Sequence, residues 1–203
     1  ELIDVVQDAG EQLSPDGAFK TGWKCINRML GEVGAIKRGE FVTCGGLQHN
    51  YKTGWVMSLF IHAALFNKPF MRDPAKKPLL LFVTLENEIP GNVLWMYEYL
   101  KENETGEKVD RNNINYHEAS QYVSMRLREN GFDVRMHRFD PTDFTITSFT
   151  NWLDSVQSEG YEIQYLVIDY LNMLSKSGID TKVAGDDIRL MFRKLRNYTS
   201  PFK

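Results

Sequence analysis

The chain has 203 residues, 42% of them hydrophobic and 25% charged, with a formal net charge of −3. That length suits one large domain and is short for two. The composition is that of a soluble globular protein, and the weak negative charge leaves any nucleic-acid contact to a local patch.

The two cysteines, Cys25 and Cys44, lack metal-type spacing and are expected as reduced, buried thiols. No run of about 18 apolar residues predicts a membrane span, and no secretory signal opens the sequence, so a cytoplasmic protein with no membrane partner is expected. The chain opens on Glu1 and closes on "YTSPFK", which suggests a piece of a longer protein.

In chain order, residues 1–14 carry early apolar positions and predict a short helix able to dock elsewhere. The turn "SPDG" follows. Trp23, Ile26, Met29 and Leu30 fit a helical stripe that Gly31 and Gly34 end. After the turn "KRGE", the residues "FVTC" predict a short strand. Residues 53–67 are apolar on nearly every side, as in a helix buried all round.

Residues 68–78 read as a loop. "LLLFVT" (79–84) is a continuous apolar run, the pattern of a strand covered on both faces. Two helices are predicted in "PGNVLWMYEYLKEN" and "YHEASQYVSMRLREN". The alternating strand "DVRMHRF" follows, with one face toward water. Next come an amphipathic helix from Ile146, the buried strand "YLVID" (165–169), and a last helix with Ile188, Met191, Phe192, Leu195 and Tyr198 at 3–4 spacing. Strands alternating with helices give an α/β fold, a mostly parallel central sheet flanked by helices.

Three stretches carry chemistry. The first is "GGLQHNYKTGW". A phosphate loop needs a strand end, backbone N–H groups curling round an anion, a helix N-terminus, a lysine for the outer phosphates and a hydroxyl for Mg²⁺. Gly46, Leu47, Gln48, His49, Asn50, Tyr51, Lys52, Thr53 and Gly54 supply these parts, except that Tyr51 stands where the last loop glycine belongs. The string alone is equally a surface turn with an incidental Lys-Thr pair.

The second is "LLLFVTLENE". It places Glu86 just past a buried strand, at the sheet edge where open α/β sheets bind ligands. Glu86 could polarise an attacking water. Glu86, Asn87 and Glu88 also suit the start of the next helix. The third is "YLVIDYLNML", an apolar strand ending in Asp169, the form of a Walker B element that serves Mg²⁺. Such strand endings are common singly; three in order, each at a strand terminus, outweigh coincidence.

With these motifs the chain resembles the ATPase domain of DnaB-type replicative helicases, which has a RecA-like P-loop NTPase core. "FKTGWKCINRML…GAIKRGEFVTCGG" is similar to that family's lead-in to Walker A. "LLLFVTLENE" resembles the strand that carries its catalytic glutamate. "YLVIDYLNML" resembles its "IDYLQLM" and is the most specific of the three. The resemblance implies ATP and Mg²⁺ as cofactors, with Lys52 and Glu86 catalytic and Thr53 and Asp169 at the metal.

It also implies translocation on single-stranded DNA, a homo-oligomeric (hexameric) ring, and primase and helicase-loader partners. Residues 1–14 would be the tail of a linker helix, and 15–203 an ATPase domain cut before its sensor strand and arginine finger. The departures from the bacterial pattern suggest a divergent member of phage origin. The alternatives are another RecA-like ATPase, such as a recombinase or clock-type ring protein, and a non-hydrolysing P-loop assembly module.

Lesser candidates remain. Arg126, Arg128, Arg135, His137 and Arg138 form a basic segment that reads as a solvated face. Arg189, Arg193, Lys194 and Arg196 lie opposite the apolar stripe of the last helix. Lys176 and Lys182, in the loop after the Walker B strand, are weak DNA candidates. His62 is expected as a satisfied core histidine, and Trp55, Phe60, Trp95 and Trp152 as core.

Overall fold

The structure, a computed structural model, describes residues 15–142, 144–177 and 185–200. The expected linker tail at 1–14 and the candidate Lys182 lie outside the described residues. In chain order the elements are α1 (Lys24–Met29), α2 (Lys52–Phe66), β1 (Lys77–Thr84), α3 (Ile89–Thr105), α4 (Tyr116–Arg128), β2 (Asp133–Arg138), α5 (Ile146–Ser158), β3 (Tyr161–Asp169) and α6 (Asp186–Thr199).

The three strands form one parallel sheet in the order β2-β1-β3. In the central strand successive side chains point to opposite faces. Leu80 and Phe82 meet Phe60, Ile61, Met96 and Leu127 from α2, α3 and α4 on one side. Leu79, Leu81 and Val83 meet Phe149, Leu153, Met191 and Leu195 from α5 and α6 on the other. Residues Leu79 to Val83 are all 0% exposed, which is why the run lacks any polar alternation. Each such Leu, Val or Phe contributes about 1.5–3 kcal/mol by burial.

The helices begin and end where local chemistry dictates. Asn115 caps α4 by accepting from the N–H groups of His117 and Glu118, and Thr145 caps α5 through Ser148. Pro90 lies in the first turn of α3, and that helix stops at Gly106, whose φ of 75° suits a residue without Cβ. Among the described residues no helix is long and apolar enough to cross a membrane.

Four expectations are corrected. "FVTC" forms no ladder: Val42, Thr43 and Cys44 are exposed. A strand is held by bonds to a neighbour. Among the described residues none stands beside this segment; it faces the free edge of β3 across a cleft that both line. The first helix is shorter than its stripe implied and buries no residue, with Met29 83% exposed. Its anchoring comes from polar contacts instead: the Thr21 N–H and hydroxyl donate to the Asn27 side-chain oxygen at 2.9 and 2.7 Å.

Both cysteines are exposed rather than buried, because Cys25 rides on α1 and Cys44 on the unpaired segment. Phe60 is core, and Trp95 and Trp152 pack half-buried against the two core clusters, but Trp55 is half-buried outside both. Trp55 and Trp95 line the rim of the cleft, where an indole can keep one edge toward water.

At the opposite end of the sheet Glu162 ties three segments together. Its nearly buried carboxylate pairs with the Arg38 guanidinium and accepts from the backbone N–H groups of Arg72 and Asp73, each at 3.1 Å. The knot fastens the "KRGE" turn and the loop before β1 to the start of β3. Glu162→Gln removes the charge and leaves Arg38 short of its partner. It is expected to lower stability by about 2–3 kcal/mol, less than for a fully buried pair because Arg38 keeps some contact with water. A urea-unfolding midpoint indistinguishable from wild type would show that the knot holds nothing.

Candidate functional site

The phosphate-type loop runs exposed from Gly45 to Tyr51 and feeds directly into α2. It is tightened by an Asn50 N–H bond to the Leu47 carbonyl at 3.3 Å. Lys52, the first residue of the helix, folds back so that its Nζ donates to the carbonyls of Gly46 (3.1 Å) and Leu47 (2.8 Å). The ammonium therefore sits inside the curl of the loop. No side chain caps α2, so its first-turn N–H groups keep their capacity for an anion.

Tyr51 adopts φ 54° and ψ 30°, the left-handed region, and His49 has φ 63°. The glycine-like conformation is thus kept with a side chain in place. The Tyr51 ring lies over Gly54, and its hydroxyl accepts a 2.7 Å bond from the Trp95 indole N–H.

Glu86 and Asp169 come from neighbouring parallel strands. Thr84 pairs in register with Asp169 at the C-terminal ends of β1 and β3, and the Leu85 N–H donates to the Asp169 carbonyl at 2.8 Å. The Thr84 hydroxyl accepts from the Asn87 N–H at 2.9 Å and from the Glu86 N–H at 3.3 Å, folding the turn that exposes Glu86. The Asp169–Tyr170 peptide is cis.

Asp169 is 4% exposed, and its Oδ2 is buried without a hydrogen-bond partner. Burial pushes its carboxyl above the usual aspartate range; the Glu86 carboxylate pushes the same way, while Thr53, Asn87 and Lys52 oppose it. An orphaned buried carboxylate oxygen beside a second carboxylate is an arrangement that a divalent cation satisfies. The donor set of Thr53 hydroxyl and Asp169 carboxylate is oxygen only, as a hard cation such as Mg²⁺ requires.

These groups open on one cleft of about 1930 Å³, lined by the loop from Gly45 to Gly54 except for Leu47, and by Glu86, Asn87, Trp95 and Asp169. Leu47 belongs to the loop backbone, which accepts from Lys52, while its side chain is exposed. Sequence reasoning misses Asn87, Thr84 and Trp95 as site residues. Thr84 and Asn87 flank Glu86 in the motif, whereas nothing in the spacing links Trp95 to Tyr51, 44 residues away.

The other candidates lie apart. Lys176 forms a 2.6 Å ion pair with Asp187 at the start of α6. Arg126, Arg128, Arg135 and Arg138 pair with Glu129, Asp133, Glu159 and Glu88, which fits a solvated, ion-paired face. His62 is a satisfied core histidine. Its Nδ1 meets the Thr21 carbonyl at 2.7 Å and so carries the proton, and its Nε2 accepts from the Tyr99 hydroxyl at 2.8 Å. Burial lowers its pKa, which keeps the ring neutral.

Comparison with known proteins places the chain in a family. The family model for divergent DnaB-like ATPases matches residues 1–203. Among solved structures, one described as an ATPase domain aligns with a TM-score of 0.60 at 12% identity, covering 98% of this chain and 65% of that one. A DnaB-like replicative helicase, solved for its interactions with primase, aligns with a TM-score of 0.56 at 14% identity, covering 96% of this chain and 46% of that one. At such identities the likeness is one of fold, and the chain spans less than two thirds of either neighbour. No curated protein matches the sequence. On the match across its whole length, this chain belongs to the divergent DnaB-like ATPases.

Proposed function

We propose that the chain is the ATP-hydrolysing motor domain of a replicative DNA helicase. The observation that carries this reading is the convergence of Lys52, Thr53, Glu86 and Asp169 on one cleft at the C-terminal edge of a parallel sheet. Residues Gly46 to Gly54 hold the phosphates of ATP through backbone N–H groups and the Lys52 ammonium. Thr53 and Asp169 hold Mg²⁺, which when bound neutralises phosphate charge. Glu86, exposed at the end of β1, orients the attacking water and receives its proton.

In the intact protein the motor works in a homo-oligomeric ring, hexameric by family resemblance, that grips the backbone of single-stranded DNA. Primase and a helicase loader are the protein partners that this reading implies. Lys176 and the basic face of α6 are the places to look for DNA contacts.

The test is ATP turnover by the full-length protein with and without single-stranded DNA, together with unwinding of a forked duplex. Turnover stimulated by the strand and unwinding that requires ATP are expected. Nucleotide binding with no turnover under any condition would instead favour the assembly-module reading.

A further inference from the structure

The loop's odd residue has a partner on another helix. Tyr51 sits in the left-handed backbone region, which disfavours a bulky side chain, so the surrounding structure must hold it there. Two contacts do so. The hydroxyl accepts the Trp95 indole N–H at 2.7 Å, with ring centroids 6.2 Å apart. The ring covers Gly54, where a Cβ would lie 2.2 Å from the nearest Tyr51 ring carbon.

Trp95 is not isolated. It stacks on Tyr99 at 5.2 Å, and the Tyr99 hydroxyl bonds to buried His62 in the middle of α2. The clasp therefore ends on a fixed aromatic support, and that support belongs to α3, the helix entered three residues after Glu86.

Building on the nucleotide reading above, we infer that Tyr51 is a positioning residue of the phosphate loop, clasped to Trp95 of α3 and dependent on Gly54. The side chain does the work that an unsubstituted loop glycine leaves to backbone freedom. In doing so it couples the loop that holds phosphate to the helix that follows Glu86. A glycine at 51 would permit the same φ but would leave the two halves of the cleft unconnected on this side. With the ring in this place, glycine at position 54 avoids a clash that any Cβ would make unless the ring shifted.

The experiment uses the full-length protein and fluorescent ADP with Mg²⁺. Tyr51→Phe keeps the ring and removes the acceptor. It is expected to move the indole N–H resonance of Trp95, assigned by its loss in Trp95→Phe, and to weaken binding about five- to tenfold. Gly54→Ala is expected to weaken binding at least tenfold when Tyr51 is present and to cost little further in a Tyr51→Gly background, which has already lost the clasp, because the clash goes with the ring. That difference between backgrounds separates positioning from a general fault at the helix start.

A Trp95 resonance unmoved by Tyr51→Phe would overturn the clasp. So would a Gly54→Ala defect equal in both backgrounds. If neither wild type nor variant binds nucleotide, the nucleotide reading falls instead, since the indole resonance reports the clasp with no nucleotide present.

Discussion

Glu86→Gln is expected to lower ATP turnover by about 10²–10⁴-fold while leaving nucleotide affinity nearly unchanged. The turn after β1 is built by Thr84, whose hydroxyl accepts from the N–H groups of residues 86 and 87, so the amide side chain inherits the same position. It keeps the shape and loses the capacity to take a proton from water.

The contrast with Asp169 sharpens the assignment. Asp169 is buried with an orphaned oxygen, suited to holding a cation, whereas Glu86 is exposed at the cleft where water can reach it. Single-turnover hydrolysis with radiolabelled ATP, set beside equilibrium binding, checks both halves. Unchanged turnover in Glu86→Gln would remove Glu86 from the chemistry.

The parts of the fold legible in the sequence were those fixed by local rules. The run Leu79 to Val83 declares a strand buried on both faces because no polar residue interrupts it, and the last helix declares itself through Ile188, Met191, Phe192 and Leu195 at 3–4 spacing. Pairing partners are a different matter. "FVTC" has strand-forming residues, yet a strand exists only beside a neighbour, and among the described residues there is none. The stripe Trp23, Ile26, Met29, Leu30 also misled, since the Trp23 ring stacks on Trp55 at 5.8 Å and the segment is anchored through Thr21 and Asn27.

The site divides the same way. The candidates Lys52, Thr53, Glu86 and Asp169 were legible because each sits at the end of an element that the pattern reveals, and all four line one cleft. The tyrosine in the loop could be flagged but not resolved. Its tolerance depends on Trp95, a contact between α3 and the loop that no periodicity encodes. The exposure of Cys44 was hidden for a related reason, because it followed from the missing strand neighbour.

Lys52→Ala is expected to reduce affinity for Mg²⁺-nucleotide by about 100-fold or more, the scale of one to two charge-assisted hydrogen bonds lost from a phosphate site. Two effects add. The cation meant for the outer phosphates disappears, and the loop loses the bonds from Nζ to the Gly46 and Leu47 carbonyls that curl it. The fold itself should survive, since Lys52 is half-exposed at the first position of α2 and takes no part in either core cluster.

The most direct test of the central claim is a titration of fluorescent ADP, with Mg²⁺, into wild type and Lys52→Ala side by side. Saturable binding by wild type, displaced by unlabelled ATP and lost in the variant, is the expected result. Equal binding by both, or none by either, would contradict a nucleotide site at this loop.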